Sequence, residues 1–359
     1  MWLFSSSIGR KFVMAVTGLC LVLFVTFHVL MNSVALLWPT AYNAVCEFLG
    51  ANWYALVASV GLAALFVIHI LYALWLTLQN RRARGNDRYA VTSRPAQVEW
   101  SSKNMLVLGF VVIAFLLLHL WQFWAKMQLA EIVPSQIAGV TTVDFAGAPA
   151  NPAMGTMFLQ VAFSNFWAPV CYLVAFAALW LHMTHGFWSM FHTAGWDNNT
   201  WLPRLKCISN WWTSIVIALF VCQIFVFTYR AHTNYYAENE ALQAQYAEAW
   251  SKEAKALSTE FEAGLLELIA PQVAVMNNEA SSPEARMTAS REAGEIQTKY
   301  IQENGEEFLK KAEAVQNAFT AQCPKAAPGQ EMQTLSQMVN AVRSMLPKQV
   351  PAELIQSQQ

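Results

Sequence analysis

Asn104-Met105-Leu106-Val107-Leu108-Gly109-Phe110-Val111-Val112-Ile113-Ala114-Phe115-Leu116-Leu117-Leu118-His119-Leu120 decides the fold of this chain. The run holds no charged residue, and the apolar character continues to about residue 128 with Lys126 as its one cation. At about 1.5 Å per residue, a helix of this length crosses the ~30 Å hydrocarbon core of a bilayer. Similar stretches lie near 11–38, 53–80, 163–192 and 207–230, so the sequence predicts an all-α protein with a five-helix transmembrane bundle. Composition agrees: of 359 residues 56% are hydrophobic and 13% charged, against roughly a quarter charged in soluble domains. The first segment lacks a secretory cleavage pattern and is expected to be retained as an anchor.

Cations set the expected orientation. Arg10 and Lys11 precede the first span; Arg81, Arg82, Arg84, Arg88, Arg94 and Lys103 fill the second connection; Arg204 and Lys206 lie in the fourth. The positive-inside rule places all three regions in the cytoplasm. The connection near 39–52 has no Lys or Arg, nor does the one near 129–162, so both are expected outside. An odd number of spans then puts everything after Arg230 on the outer side. Because the cations follow one membrane face, nucleic-acid binding is not indicated. Trp2, Trp38, Trp53, Trp100, Trp196, Trp201, Trp211 and Trp212 near the span ends read as an interfacial belt.

Residues 1–230 form the membrane domain in this reading, and 231–359 a separate extension. The extension carries ten Lys and Arg against seventeen Asp and Glu. Residues 241–269 and 284–319 repeat apolar side chains at three- and four-residue spacing among Ala, Glu, Gln and Lys, the pattern of amphipathic helices. Pro271, Pro283, Pro324 and Pro328 punctuate them. The six cysteines form no Cys-x-x-Cys or Cys-x-x-Cys-His pattern, so neither a zinc ribbon nor c-type haem attachment is indicated. Cys20, Cys171 and Cys222 read as apolar fillers, and Cys46 and Cys323 share the expected outer side, where a disulfide is chemically open to them.

Four histidines carry the chemistry. His28, His69, His119 and His182 each lie sixteen or seventeen residues into one of four successive spans. Successive spans alternate in direction, so equal depth pairs His28 with His119 in the outer half and His69 with His182 in the inner half. One imidazole in a membrane is most simply helix glue; four at matched depths fit the axial ligands of two stacked haems. His185, three residues beyond His182, is a competing ligand or a hydrogen-bond donor behind the site. His192 reads as interfacial and His232 as solvated. No carboxylate lies inside any span, and position 180 is Trp180.

Ser5-Ser6-Ser7-Ile8-Gly9-Arg10-Lys11, followed by Thr17-Gly18-Leu19 and His28, is similar to the start of the dihaem cytochrome b subunit of succinate dehydrogenases and quinol:fumarate reductases. The run from His182 through Gly186-Phe187-Trp188 also resembles that family, and the resemblance covers about residues 1–230. It implies a multi-pass anchor in a bacterial cytoplasmic membrane with two b haems and a quinone substrate, expected to be menaquinone. Its implied partners are cytoplasmic iron–sulfur and flavoprotein subunits, in a dimer of heterotrimers. The dicarboxylate chemistry would then belong to another chain, and this one would exchange electrons with quinone.

Quinone chemistry needs an acid–base group, and Glu47 is the one carboxylate between the first two spans. Its roles are expected to be proton exchange with the quinol or simple solvation in a loop. Arg10, Lys11, Arg81 and Arg82 lie on the expected side for the inner haem's propionates, and equally for docking a soluble partner. An anchor of a different respiratory dehydrogenase and a haem-free membrane protein are the competing readings.

Overall fold

The computed structural model describes residues 6–50, 52–85, 99–132, 144–145, 148–196 and 198–346. The cations Arg88 and Arg94 fall outside the described residues. Five helices are long and apolar enough to cross a membrane. They are α1 (Ser7–Leu37), α3 (Trp53–Arg84), α4 (Trp100–His119), α6 (Trp167–Thr193) and α7 (Trp201–Ala231). Helix α4 continues without a break as a π-helix, Leu120–Leu129, and a last α turn, Ala130–Ile132. Among the described residues the remaining elements are the helices α2 (Pro39–Gly50), α5 (Gly155–Ser164), α8 (Tyr235–Glu238), α9 (Glu240–Asn277), α10 (Pro283–Gln322) and α11 (Gln330–Met345), and a hairpin of β1 (Asp144–Phe145) with β2 (Ala148–Pro149).

The chain divides into two compact units, Met1–Thr142 with Pro152–Tyr236, and Val143–Asn151 with Ala237–Gln359. The second unit thus begins at Ala237, within α8, six residues beyond the expected boundary, and it takes in the hairpin from the connection that follows α4.

In the first unit α6 is central, packing against α1, α4 and α7. The apolar window of α3 has no buried residue; side chains such as Val57, Val60 and Leu71 face outward, as a lipid-facing helix requires. Where spans do touch, polar groups join them. Gln223 on α7 donates to Val29 O at 2.9 Å and to Ser33 Oγ at 3.0 Å on α1. Ser209 Oγ donates to Thr184 O at 2.5 Å, and Trp180 Nε1 to Ser214 Oγ at 3.0 Å. Arg230 donates to Ala35 O and Leu36 O at 2.7 and 2.8 Å, satisfying carbonyls that the end of α1 leaves unpaired.

The first connection is the helix α2 rather than a loop, docked on α5. Asn43 Oδ1 accepts from the Thr156 amide at 2.9 Å and from its hydroxyl at 2.8 Å, all three groups being buried. Gly155 makes this approach close: a Cβ there would meet Cys46 Sγ at 2.4 Å and the Tyr42 ring at 2.7 Å.

In the second unit α9 and α10 form a helical hairpin joined by a short turn, with α11 packed against both. Asn239 and Ser282 cap the two long helices by accepting from the Leu242 and Ala285 amides. The core comprises Tyr246 and Trp250 on α9, Phe308 and Val315 on α10, and Leu335 and Val339 on α11. Pro271 was expected to punctuate α9, yet the helix runs through it to Asn277. The proline lies on the exposed face, where water can satisfy the carbonyl it leaves unpaired. Among the described residues there is no disulfide.

Replacing Gly155 by Ala should overpack the α2–α5 contact, at a cost of about 1–3 kcal/mol. The check is a lowered thermal unfolding midpoint for the purified protein in detergent; an unchanged midpoint would show that Cys46 and Tyr42 yield freely.

Candidate functional site

The structure brings the four span histidines together in two pairs. The ring centroids of His28 (α1) and His119 (α4) are 5.7 Å apart, and those of His69 (α3) and His182 (α6) 6.4 Å. The pairs lie at different levels. On α1, Thr17 touches His69 and His28 lies eleven residues further on; on α4, Gly109 lies against His182 and ten residues precede His119; on α6, Tyr172 touches His119 and ten residues precede His182. All three helices give a separation of about 15–17 Å along the helix axis at about 1.5 Å per residue.

Aromatic rings surround the first pair. Phe24 stacks on His28 at 5.4 Å and Phe220 lies 6.1 Å from it, while Phe115 and Phe123 stand 5.7 and 5.2 Å from His119. Small residues flank the second: a Cβ on Gly18 would meet His69 Cε1 at 3.5 Å, and one on Gly109 would meet His182 Cε1 at 3.9 Å.

Each imidazole has distinct polar surroundings. Thr17 Oγ1 lies 3.1 Å from His69 Nδ1 while giving its own proton to Val13 O at 2.9 Å and Met14 O at 3.1 Å. Tyr172 Oη lies 3.1 Å from His119 Nδ1 and donates to Gln122 Oε1 at 2.8 Å. Asn32 Nδ2 lies 3.2 Å from His28 Nε2, and its Oδ1 receives a long bond from Tyr42 Oη at 3.5 Å. His182 Nδ1 is buried without a hydrogen-bond partner. Burial drives the Tyr42 phenol well above its ordinary range, with Cys46 adding to the effect, so it stays protonated.

His185 is turned to other company. Its Nδ1 lies 3.3 Å from Glu99 Oε2, and the other oxygen of Glu99 is 2.8 Å from Lys206 Nζ. Lys206 also sits 4.4 Å over the Trp188 ring. Glu99 precedes the first turn of α4, so this ion pair ties the starts of α4 and α7 to the latter half of α6. Partial burial raises the Glu99 carboxyl, but Lys206 and His185 outweigh that and hold it below the usual carboxylate value of 4.5.

The other expected site residues stand apart from the imidazoles. Glu47 is exposed on α2, one helical turn beyond the buried Asn43. Arg10 lays its guanidinium 5.2 Å over the Trp75 ring on α3. Lys11 and Arg81 are exposed near the start of α1 and the end of α3. Sequence reasoning missed Thr17, Tyr172, Asn32, Glu99 and Lys206. Asn32 was within reach of it, being one helical turn after His28. Thr17, Tyr172 and Glu99 meet their histidines from other elements, Lys206 reaches His185 only through Glu99, and no spacing along the chain signals that.

Chemically, each pair is a two-donor site. Among the described residues no group of three or more His, Cys, Asp or Glu side chains converges as a metal cage. An ion held here by imidazoles alone must therefore bring most of its own ligands.

Glu99 gives a pH signature. Its folded-state affinity for protons is depressed, so its stabilisation is complete above about 4.5 and is lost as pH falls through the lower folded value. Thermal midpoints measured from pH 7 to pH 3 should show an acid-side decline that is reduced in Glu99→Gln; superimposable profiles would remove Glu99 from the account.

No family model, characterised protein or solved structure matches the chain.

Proposed function

We propose that this chain is the membrane-anchor cytochrome b subunit of a quinol:fumarate reductase or succinate dehydrogenase. It passes electrons through two b haems between a membrane quinone and cytoplasmic iron–sulfur and flavoprotein subunits. The observation that carries this reading is the convergence of four histidines from four spans into two pairs at two levels. Two imidazoles on opposite faces of one metal have centroids roughly 6 Å apart, from two metal–nitrogen bonds of about 2.0 Å and the half-width of each ring. Separations of 5.7 and 6.4 Å fit that requirement. The donor set fits as well, because a haem would bring its other ligands with it and would need two imidazoles from the protein at each site. A bound haem contributes a one-electron carrier whose potential follows its axial ligands and burial.

In this reading His28 and His119 hold one haem and His69 and His182 the other. His182 is favoured over His185 as fourth ligand because Glu99 already engages His185. Gly18 and Gly109 keep bulk away from the rings of the second pair. Arg10, Lys11 and Arg81 lie at the cytoplasmic end, where they meet propionates or the soluble partner. Glu47, on the exposed face of α2 at the outer end, exchanges the proton that quinone redox chemistry requires. Residues 231–359 lie on the extracytoplasmic side.

The purified chain should show reduced-minus-oxidised b-type bands from two low-spin haems; their absence would overturn the reading. Replacing His28 or His119 by Ala should remove one low-spin spectrum, and replacing His69 or His182 the other.

Glu47→Gln should retain both spectra while quinol-linked turnover of the co-purified complex falls by about 10²-fold or more, the usual worth of a general acid–base group. Undiminished turnover would return Glu47 to a solvated role.

A further inference from the structure

The polar contacts of the four imidazoles divide them in a way that the pairing alone does not. A neutral imidazole carries its proton on one nitrogen and a lone pair on the other, and a partner on one fixes the role of the other. Thr17 Oγ1 has the carbonyls of Val13 and Met14 at 2.9 and 3.1 Å to take its single proton, which leaves its lone pairs to accept from His69 Nδ1. Tyr172 has Gln122 Oε1 at 2.8 Å for its proton, which likewise leaves it to accept from His119 Nδ1. That arrangement assigns the proton of both histidines to Nδ1 and the lone pair to Nε2. Their pair-mates are set differently. His182 Nδ1 has no partner, and the His28 Nε2 lone pair is taken up by the Asn32 amide.

We infer that the Thr17 and Tyr172 hydroxyls are tautomer locks that make His69 and His119 the anchoring ligands of the two haems, with His182 and His28 as the weaker, closing ligands. The inference rests on the haem reading above. A fixed Nδ1–H···O contact holds the ring plane and raises the basicity of Nε2, and loss of such a partner commonly costs 10–100-fold in metal affinity. His182 has no such aid, and His28 must first part from Asn32. Each pair thus has one ligand held ready and one recruited, and the locks come from different helices, α1 for one site and α6 for the other. Thr17 and Tyr172 are positioning residues, since neither touches the metal position itself.

The test uses the haem-loaded full chain and the variants Thr17→Val, Thr17→Ser and Tyr172→Phe. Haem loss to excess apomyoglobin and the midpoint potential of each haem are measured in parallel. Thr17→Val should accelerate loss of the His69–His182 haem by about 10–100-fold. It should also raise that haem's potential, because a less basic imidazole stabilises the oxidised iron less. The other haem should be unmoved, and Thr17→Ser, which keeps the acceptor, should behave as wild type. Tyr172→Phe should do the same to the His28–His119 haem alone. His182→Ala and His28→Ala should each retain a five-coordinate high-spin haem at the altered site, whereas His69→Ala and His119→Ala should lose it.

Several results would overturn the lock: unchanged potentials and release rates, both haems moving together in one variant, Thr17→Ser matching Thr17→Val, or equal haem retention after loss of either histidine of a pair. A wild-type chain without b-type bands would overturn the haem reading itself and this inference with it. Bands with unmoved potentials would overturn this inference alone.

Discussion

A neutral imidazole in hydrocarbon keeps two nitrogens that water can no longer serve, and leaving either unserved costs free energy comparable to a lost hydrogen bond. That constraint arranges the spans. His69 is served by Thr17 on α1, His119 by Tyr172 on α6, and His28 by Asn32 on its own helix, which in turn meets Tyr42 on α2. Helix α6 is central because it must supply Tyr172 to one level and His182 to the other, ten residues apart. His182 Nδ1 is the exception, buried and unserved. An orphan nitrogen in a native interior calls for an explanation, and a site that recruits this ring only when its ligand arrives supplies one.

The contrast between His182 and His185 shows how depth assigns roles. They occupy the same helix one turn apart, yet the first lies across from another imidazole and the second meets a carboxylate backed by a lysine. Charges belong where water can reach them, and Glu99 and Lys206 are each more than a third exposed on the side chain or close to it, at 35% and 37%. Near the starts of α4 and α7 a charged cluster is affordable; one turn back along α6, at His182 next to the buried Met183, the ring across the gap is another imidazole. The same grading runs through the rest of the bundle, where Gln223, Ser209 and Trp180 join helices through neutral bonds and Arg230 appears only at the end of α1.

Much of this was legible in the sequence because hydrocarbon thickness imposes length and the cost of a buried imidazole imposes rarity. The span at Asn104 and the expected stretch at 163–192 reappear as α4 and α6 with ends shifted by a few residues, and equal depth on alternating helices anticipated which imidazoles lie side by side. The fifth span begins at Trp201 rather than 207, because Arg204 and Lys206 extend along the first turns of a helix instead of interrupting it. What sequence could not show were contacts set by rotation about a helix axis. Thr17 was visible as part of Thr17-Gly18-Leu19, but its position against His69 depends on how α1 turns toward α3. The π-helix after His119 was equally hidden: nothing in the pattern of Leu120–Leu129 distinguishes the two ladders, and within it Gln122 and Gln128 accept from Tyr172 and Ser59.

The two units show one helical grammar written for two solvents. In α9, α10 and α11 the large apolar groups turn inward, Trp250 and Tyr246 being among the most buried side chains, while Lys252–Glu248 and Lys311–Glu307 pairs decorate the surface. In the spans many large apolar groups also turn outward, Phe225 at 62% and Val60 at 63% exposed, while the inward positions are shared between apolar residues such as Val29, Phe176 and Phe220 and polar ones such as Thr17, Ser209 and Gln223. Exposed large apolar groups are thus far more numerous in the first unit, whose last residue is Tyr236, than in the second. All seven histidines lie in the first unit, where a buried ring nitrogen has to find its partner on the protein rather than in water.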